Sequence, residues 1–108
     1  MTDKIVVLSS CGSAEEASRV AEHLVDERLA ACVTVVPKVQ SVYRWKGAVE
    51  KAEEWLLVIK TSRENFDALR RAIEAAHSYE TPEILALPVV DGAPNYLEWL
   101  ATELKHEA

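Results

Sequence analysis

The chain has 108 residues, close to the commonest size of a single domain and too short to bury two cores. An apolar share of 49% beside a charged share of 28% is the balance of a folded globular chain and excludes a disordered tail. Acidic residues outnumber basic ones 18 to 12, and the resulting charge of -6 disfavours nucleic acid and anionic membrane surfaces as partners while favouring divalent cations.

Residues 5–8 form a short β-branched apolar run, which predicts a buried strand that ends in a turn over Ser9, Ser10, Cys11 and Gly12. Ser13 stands three residues before Glu16, the spacing of a capping box, and opens a helix whose apolar face is Ala17, Val20, Ala21, Leu24 and Val25. Residues 31–45 are rich in Val, Thr, Tyr and Trp, predicting one long strand bent or bulged at Pro37. Lys46-Gly47 is the turn, and residues 54–61 return as the hairpin partner. Thr61 with Glu64, or Ser62, is the expected cap of a second helix carrying Phe66, Leu69, Ile73 and Ala76 on its apolar side and ending at His77-Ser78. Thr81-Pro82 forces an extended start to a fourth strand over residues 84–87, with Pro88 at an edge or bulge. A short last helix follows, with Asn95 and Glu98 as its expected cap and Tyr96, Leu97, Leu100 and Leu104 as its apolar side.

The order β-α-β-β-α-β predicts an α+β, ferredoxin-like domain: a four-stranded antiparallel sheet, two helices on one face, and a short C-terminal helix. Two helices cover only the central part of such a sheet, yet the hairpin runs well beyond them with Val39, Val42, Tyr43, Trp45 and Trp55. That surface predicts a homo-oligomer, the competing arrangement being an arm folded back over its own sheet. No apolar run approaches the roughly 20 residues of a bilayer span, and Met1 to Lys4 lacks the layout of a signal peptide, so no membrane insertion and a cytoplasmic location are expected. Cys11 and Cys32 form neither a disulfide framework nor a zinc-ligand spacing, consistent with thiols in a reducing compartment.

Five segments taken together carry a resemblance: Leu29-Ala30-Ala31-Cys32-Val33, Ser41-Val42-Tyr43-Arg44-Trp45-Lys46-Gly47, Lys60-Thr61, His77-Ser78-Tyr79-Glu80-Thr81-Pro82-Glu83-Ile84 and Tyr96-Leu97-Glu98-Trp99. In this order they resemble the divalent-cation tolerance family, CutA, over nearly the whole chain. The resemblance implies a homotrimer of ferredoxin-like subunits whose long hairpins exchange edges, and a role in tolerance of copper or other divalent ions. The trimer is also similar to the PII-type signalling proteins, which implies an alternative role as a small-ligand sensor or interaction scaffold using clefts between subunits.

His77 is the first candidate metal ligand, because imidazole suits copper-like ions and the residue stands where a helix gives way to a loop. The resemblance points to the same residue, as the His of the family's H-x-Y motif. A histidine in the last helical turn also meets the negative end of the helix dipole, a purely structural role. Cys11 is the second candidate, as a soft thiolate at a strand end, against the alternative of a small buried filler. The resemblance implies a copper-binding cysteine near the end of this strand, and an ungapped match puts Ser9 at that position. Cys32, inside a strand among Val and Ala, is expected to be packed. Lys60 needs a carboxylate partner or an anionic ligand, and Glu83 is the plausible partner, either as a structural ion pair across a subunit interface or as the polar floor of an inter-subunit cleft. Trp45 and Tyr79 would wall that cleft or serve as packing anchors. His23 is expected on a solvated helix face and His106 in a fraying tail. The chain lacks G-x-G-x-x-G, P-loop, H-E-x-x-H and C-x-x-C motifs, and no orienting third residue accompanies a Cys-His pair, so no enzyme is expected. An RNA-binding role fails on charge and on the absence of aromatic RNP motifs.

Overall fold

Side chains alternate between the two faces of a strand, and in β1 (Lys4–Cys11) Ile5, Val7, Ser9 and Cys11 share the more deeply buried side. The computed structural model describes residues 2–106. After β1 come α1 (Ala14–Asp26), β2 (Cys32–Trp45), β3 (Ala48–Ser62), a 3-10 turn (Arg63–Asn65), α2 (Phe66–Ala76), β4 (Leu85–Pro88) and α3 (Pro94–Glu103). All strand pairs are antiparallel and the order across the sheet is β2-β3-β1-β4. Two split β-α-β units are thus interleaved in the ferredoxin-like manner, α1 carrying the chain past β3 and α2 carrying it past β1.

The core lies between the sheet and the two longer helices: Ala17, Val20 and Leu24 of α1 and Leu69 and Ile73 of α2 pack on Val7, Leu57 and Ile59. Val25, expected on the buried stripe of α1, turns out to be exposed while the adjacent Leu24 is fully buried, so the helix turns its stripe onto Leu24 and leaves Val25 at the flank. Thr61 is buried in this core and donates its hydroxyl to the Leu29 carbonyl at 2.6 Å, so it does not cap the following helix. That helix is entered through the 3-10 turn, where the Asn65 side-chain amide donates to Ser62 Oγ at 2.9 Å.

Two strands are longer than expected. Ser9, Ser10 and Cys11 pair with Leu57, Leu56 and Trp55, since a ladder offered by β3 outweighs the turn preference of two serines. β3 starts at Ala48, because the turn Lys46-Gly47 has φ of 50° and 81°, the two-residue type I′ geometry that locks Trp45 opposite Ala48. Glycine serves that turn at Gly47, where a side chain would be strained. The predicted interruption at Pro37 is a register shift between Val36 and Val39, with Lys38 in the left-handed region at φ 55°. Beyond the bulge β2 and β3 form an arm that gives the molecule extents of 44 × 25 × 21 Å.

The second face of the sheet is covered differently. Register places Leu8, Leu56 and Val58 there beside Val36, Leu85 and Leu87, the last three exposed. α3 begins with Pro94 at its first position and has no side-chain cap, correcting the expected Asn95 and Glu98 cap. Its Leu100 and Leu104 form a small separate cluster with Ala31. His106, expected to fray, rests against the Ala101 carbonyl at 3.0 Å.

Replacing Thr61 with valine conserves volume but leaves the buried Leu29 carbonyl without this donor. We expect Thr61→Val to lower unfolding stability by about 1–3 kcal/mol, measured by urea denaturation at fixed protein concentration; an unchanged midpoint would mean that the carbonyl has found another donor.

Candidate metal centre and the adjoining cavity

At the end of α2 the apolar period stops, and residues 77–80 turn back toward the end of β1 and the start of α1. Ser13 Oγ accepts the Glu16 N–H at 3.2 Å, the predicted half of a capping box. The Glu16 carboxylate, however, reaches across the molecule. Its Oε2 accepts the Ser78 N–H at 2.9 Å and its Oε1 the Ser78 hydroxyl at 3.2 Å, with Arg19 at 3.7 Å. Burial alone would raise its pKa, but the two Ser78 bonds, the neighbouring His77 and the Gly12 backbone more than reverse this and hold it below the usual carboxylate range.

The His77 side chain is wholly buried. Its Nε2 donates to the Ser10 carbonyl at 2.6 Å while Nδ1 accepts the Tyr79 N–H at 3.0 Å, a pairing that assigns the proton to Nε2. The ring therefore turns to β1 and not to the carbonyls of its own helix, which sets aside the dipole role. Nδ1 lies 4.0 Å from Glu16 Oε1. Cys11 is also fully buried, and its thiol is pushed up to about 11, first by burial and then by the charge and hydrogen bond of Glu16. One potential ligand atom from each of Cys11, Glu16 and His77 falls within 4.8 Å of the others, forming a thiol-carboxylate-imidazole cluster. Cys11 and His77 were both legible as candidates; Glu16 was not, since its spacing marks a cap and its partner is distant in sequence.

Ser9 shares the core side of β1 with Cys11, as the two-residue strand period requires. Its Oγ is buried with no hydrogen-bond partner among the described residues. The thiol thus stands one period further along the strand than the family pattern implies, on the same face.

Tyr79 links this cluster to a second feature. Its ring lies 4.7 Å from that of His77, and its hydroxyl donates to Glu54 Oε2 at 2.8 Å. Burial first, and then the hydrogen bond and charge of Glu54, raise the phenol pKa. A Cβ on Gly12 would come to 3.0 Å from the Tyr79 hydroxyl, so glycine leaves room for this approach. Beyond Tyr79 opens a cavity of about 520 Å³ that also brings together Trp45 and Glu83 of the expected cleft. Cys32 and Lys60 stand outside it. Lys60 Nζ donates to Thr34 Oγ1 at 2.7 Å and to the Val58 carbonyl at 3.1 Å, and Cys32 is its neighbour across the β2-β3 ladder, half-buried beside Tyr96.

Residues 5–103 match the profile of the CutA1 divalent ion tolerance protein family. The chain belongs to that family. It is 47% identical over 95 residues to the divalent-cation tolerance protein CutA of Thermus thermophilus, covering 88% of this chain and 92% of that one. It is 40% identical over 102 residues to the chloroplastic CutA of Arabidopsis thaliana, covering 94% of this chain but only 56% of that longer protein. The crystal structure of CutA from Xylella fastidiosa superposes with a TM-score of 0.94 at 39% identity, covering 96% of this chain and 100% of the other. The CutA family is thus one of divalent-ion tolerance, and this member builds its Cys-Glu-His cluster where three elements of the fold converge.

Because the folded-state pKa of Glu16 is depressed, its contribution to stability is present above the ordinary carboxylate range and is lost as pH falls through the folded value. Thermal melts of the wild type and Glu16→Gln should differ most near pH 7, with the gap closing below about pH 4. A gap that stays constant down to pH 3 would show that the carboxylate's charge is not what ties Ser78.

Proposed function

We propose that the chain acts in tolerance of divalent cations by binding a soft or borderline ion, copper foremost, at Cys11, Glu16 and His77, and that it does so as a homotrimer. The observation that carries this reading is the donor set itself: thiol, imidazole and carboxylate within 4.8 Å, a combination suited to Cu²⁺ or Zn²⁺ and poorly suited to Mg²⁺ or Ca²⁺, which call for six or more oxygens. His77 has the outer support common to metal-binding histidines, one ring N–H fixed on a backbone carbonyl and the other nitrogen unprotonated. Such a bound ion would be held by the Cys11 sulfur, a Glu16 oxygen and His77 Nδ1. To hold it, Cys11 would release its thiol proton to solvent and His77 Nδ1 would give up the Tyr79 N–H that it accepts here.

The trimer reading is supported by the apolar surface left on one chain: Val36, Leu85 and Leu87 on the second sheet face, and Val42, Tyr43, Trp45 and Val49 on the arm. The two free cysteines favour a reducing compartment, the cytoplasm in our proposal. The reading assigns the chain no turnover.

A competitive copper titration of the reduced protein should give about one ion per chain, with His77→Ala weakening affinity by more than roughly tenfold, about 1.4 kcal/mol, and Glu16→Gln and Cys11→Ser weakening it in the same direction. Indistinguishable wild type and His77→Ala would make the cluster structural. Sedimentation at dilute concentration should return three times the chain mass, and Leu87→Glu should shift the population to smaller species; a wild-type monomer would sink the assembly.

A further inference from the structure

Arg19 touches the cluster from outside. Cys11 and the His77 side chain are fully buried and the Glu16 side chain is 8% exposed, whereas the Arg19 side chain is 61% exposed. Its Nη2 donates to the Ala76 carbonyl at 3.4 Å, at the negative end of α2, and lies 3.7 Å from Glu16 Oε2. Among the described residues it is the lysine or arginine paired with Glu16. The guanidinium therefore rests on the solvent side of a buried carboxylate, held by one long ion pair and one hydrogen bond, and neither contact belongs to the apolar core.

The charges at the cluster give this position a consequence. Cys11 keeps its thiol proton, and His77 carries one proton, on Nε2, and is neutral. Glu16 is ionised, so Glu16 and Arg19 sum to zero. When Cys11 releases its proton to solvent to hold a metal ion, thiolate and carboxylate together carry two negative charges. A divalent ion cancels both, and Arg19 is left as a surplus positive charge beside it. A monovalent ion cancels only one, and Arg19 remains the counter-ion of the other. Glu54, which also faces Cys11, is bonded to Tyr79 and has the same charge in either case.

We propose that Arg19 is a valence filter for the cluster: it neutralises Glu16, is displaced by a divalent ion and stays in place for a monovalent one. The inference rests on the metal reading of Cys11, Glu16 and His77 and deepens it by naming a residue that sets the threshold for divalent ions without being a ligand.

Titrations with Zn²⁺ and with Ag⁺, in chloride-free buffer and on reduced protein, test the filter; Zn²⁺ avoids the thiol oxidation that Cu²⁺ would cause. A Cys32→Ser parent leaves Cys11 as the sole thiol. Against that parent, Arg19→Gln should bind Zn²⁺ about threefold tighter or more, with the gain shrinking as salt is raised, and should bind Ag⁺ no tighter. Arg19→Lys, which keeps the charge, should retain the parent's Zn²⁺ affinity. A merely structural arginine would give the opposite result, both ions binding more weakly once it is removed. Circular dichroism would verify that the variants fold. Zn²⁺ affinity unchanged or weakened in Arg19→Gln, or an equal gain for both ions, would overturn the filter while leaving the metal reading intact, provided that His77→Ala still loses binding. If His77→Ala matches the parent for both ions, the metal reading fails and the filter fails with it.

Discussion

The Glu16 carboxylate is the anchor on which the site depends. A charge placed at the first turn of α1 enjoys the positive end of the helix, but burying it is affordable only because Ser78 supplies both an N–H and a hydroxyl. Those donors belong to the residue just past the end of α2. The contact therefore fixes a loop that has no regular hydrogen bonding of its own and ties α1 to the segment leading into β4. Ser78 is flanked by His77 and Tyr79, so one anchor orients two rings: His77 inward onto the Ser10 carbonyl, Tyr79 sideways onto Glu54.

The sheet supplies the rigid frame for this anchor, and its two faces are unequal. One is sealed by α1 and α2, with Leu24, Leu57, Ile59, Leu69 and Ile73 fully buried. The other receives only α3, whose contact is confined to the Ala31 end, leaving Leu85, Leu87 and Val36 exposed. A large uncovered apolar face on a charged, acidic chain is a surface prepared for another protein surface rather than for water. The arm adds to it, since past the bulge at Pro37 neither strand has a helix beneath it. Placing Trp45 and Tyr43 on that arm means that the cavity beside Tyr79 is shaped by the same element that self-association would brace.

The legible parts of the fold were those governed by local chemistry. The Ser13 cap, the bulge at Pro37, the Lys46-Gly47 turn and the ending of α2 at His77 all follow from backbone preferences of a few adjacent residues. What sequence patterns misread was decided by partners far along the chain. Ser9, Ser10 and Cys11 look like a turn until β3 offers them a ladder. Residues 48–53 look too polar for a strand, because an arm exposed on both sides carries charges on both. Thr61 looks like a cap but is spent on Leu29. The candidate site divides along the same line. Cys11 and His77 were visible because their side-chain chemistry is distinctive, whereas Glu16 and Glu54 are two of many acidic residues, and only burial separates them from the solvated majority.

That burial also bears on selectivity. Every donor in the cluster is engaged within the protein: the Cys11 thiol holds its proton, His77 uses both nitrogens, and both Glu16 oxygens serve Ser78. A satisfied network of this kind resists weakly bound cations, because an incoming ion must repay the hydrogen bonds that it displaces in a low-dielectric setting. Abundant hard ions gain little from sulfur or imidazole and would not meet that cost. Ions that form strong bonds to thiolate and imidazole would. Under the proposed metal role, the hydrogen bonds that make the cluster look purely structural would set a threshold that common divalent cations fail to meet and that thiolate- and imidazole-seeking ions pass.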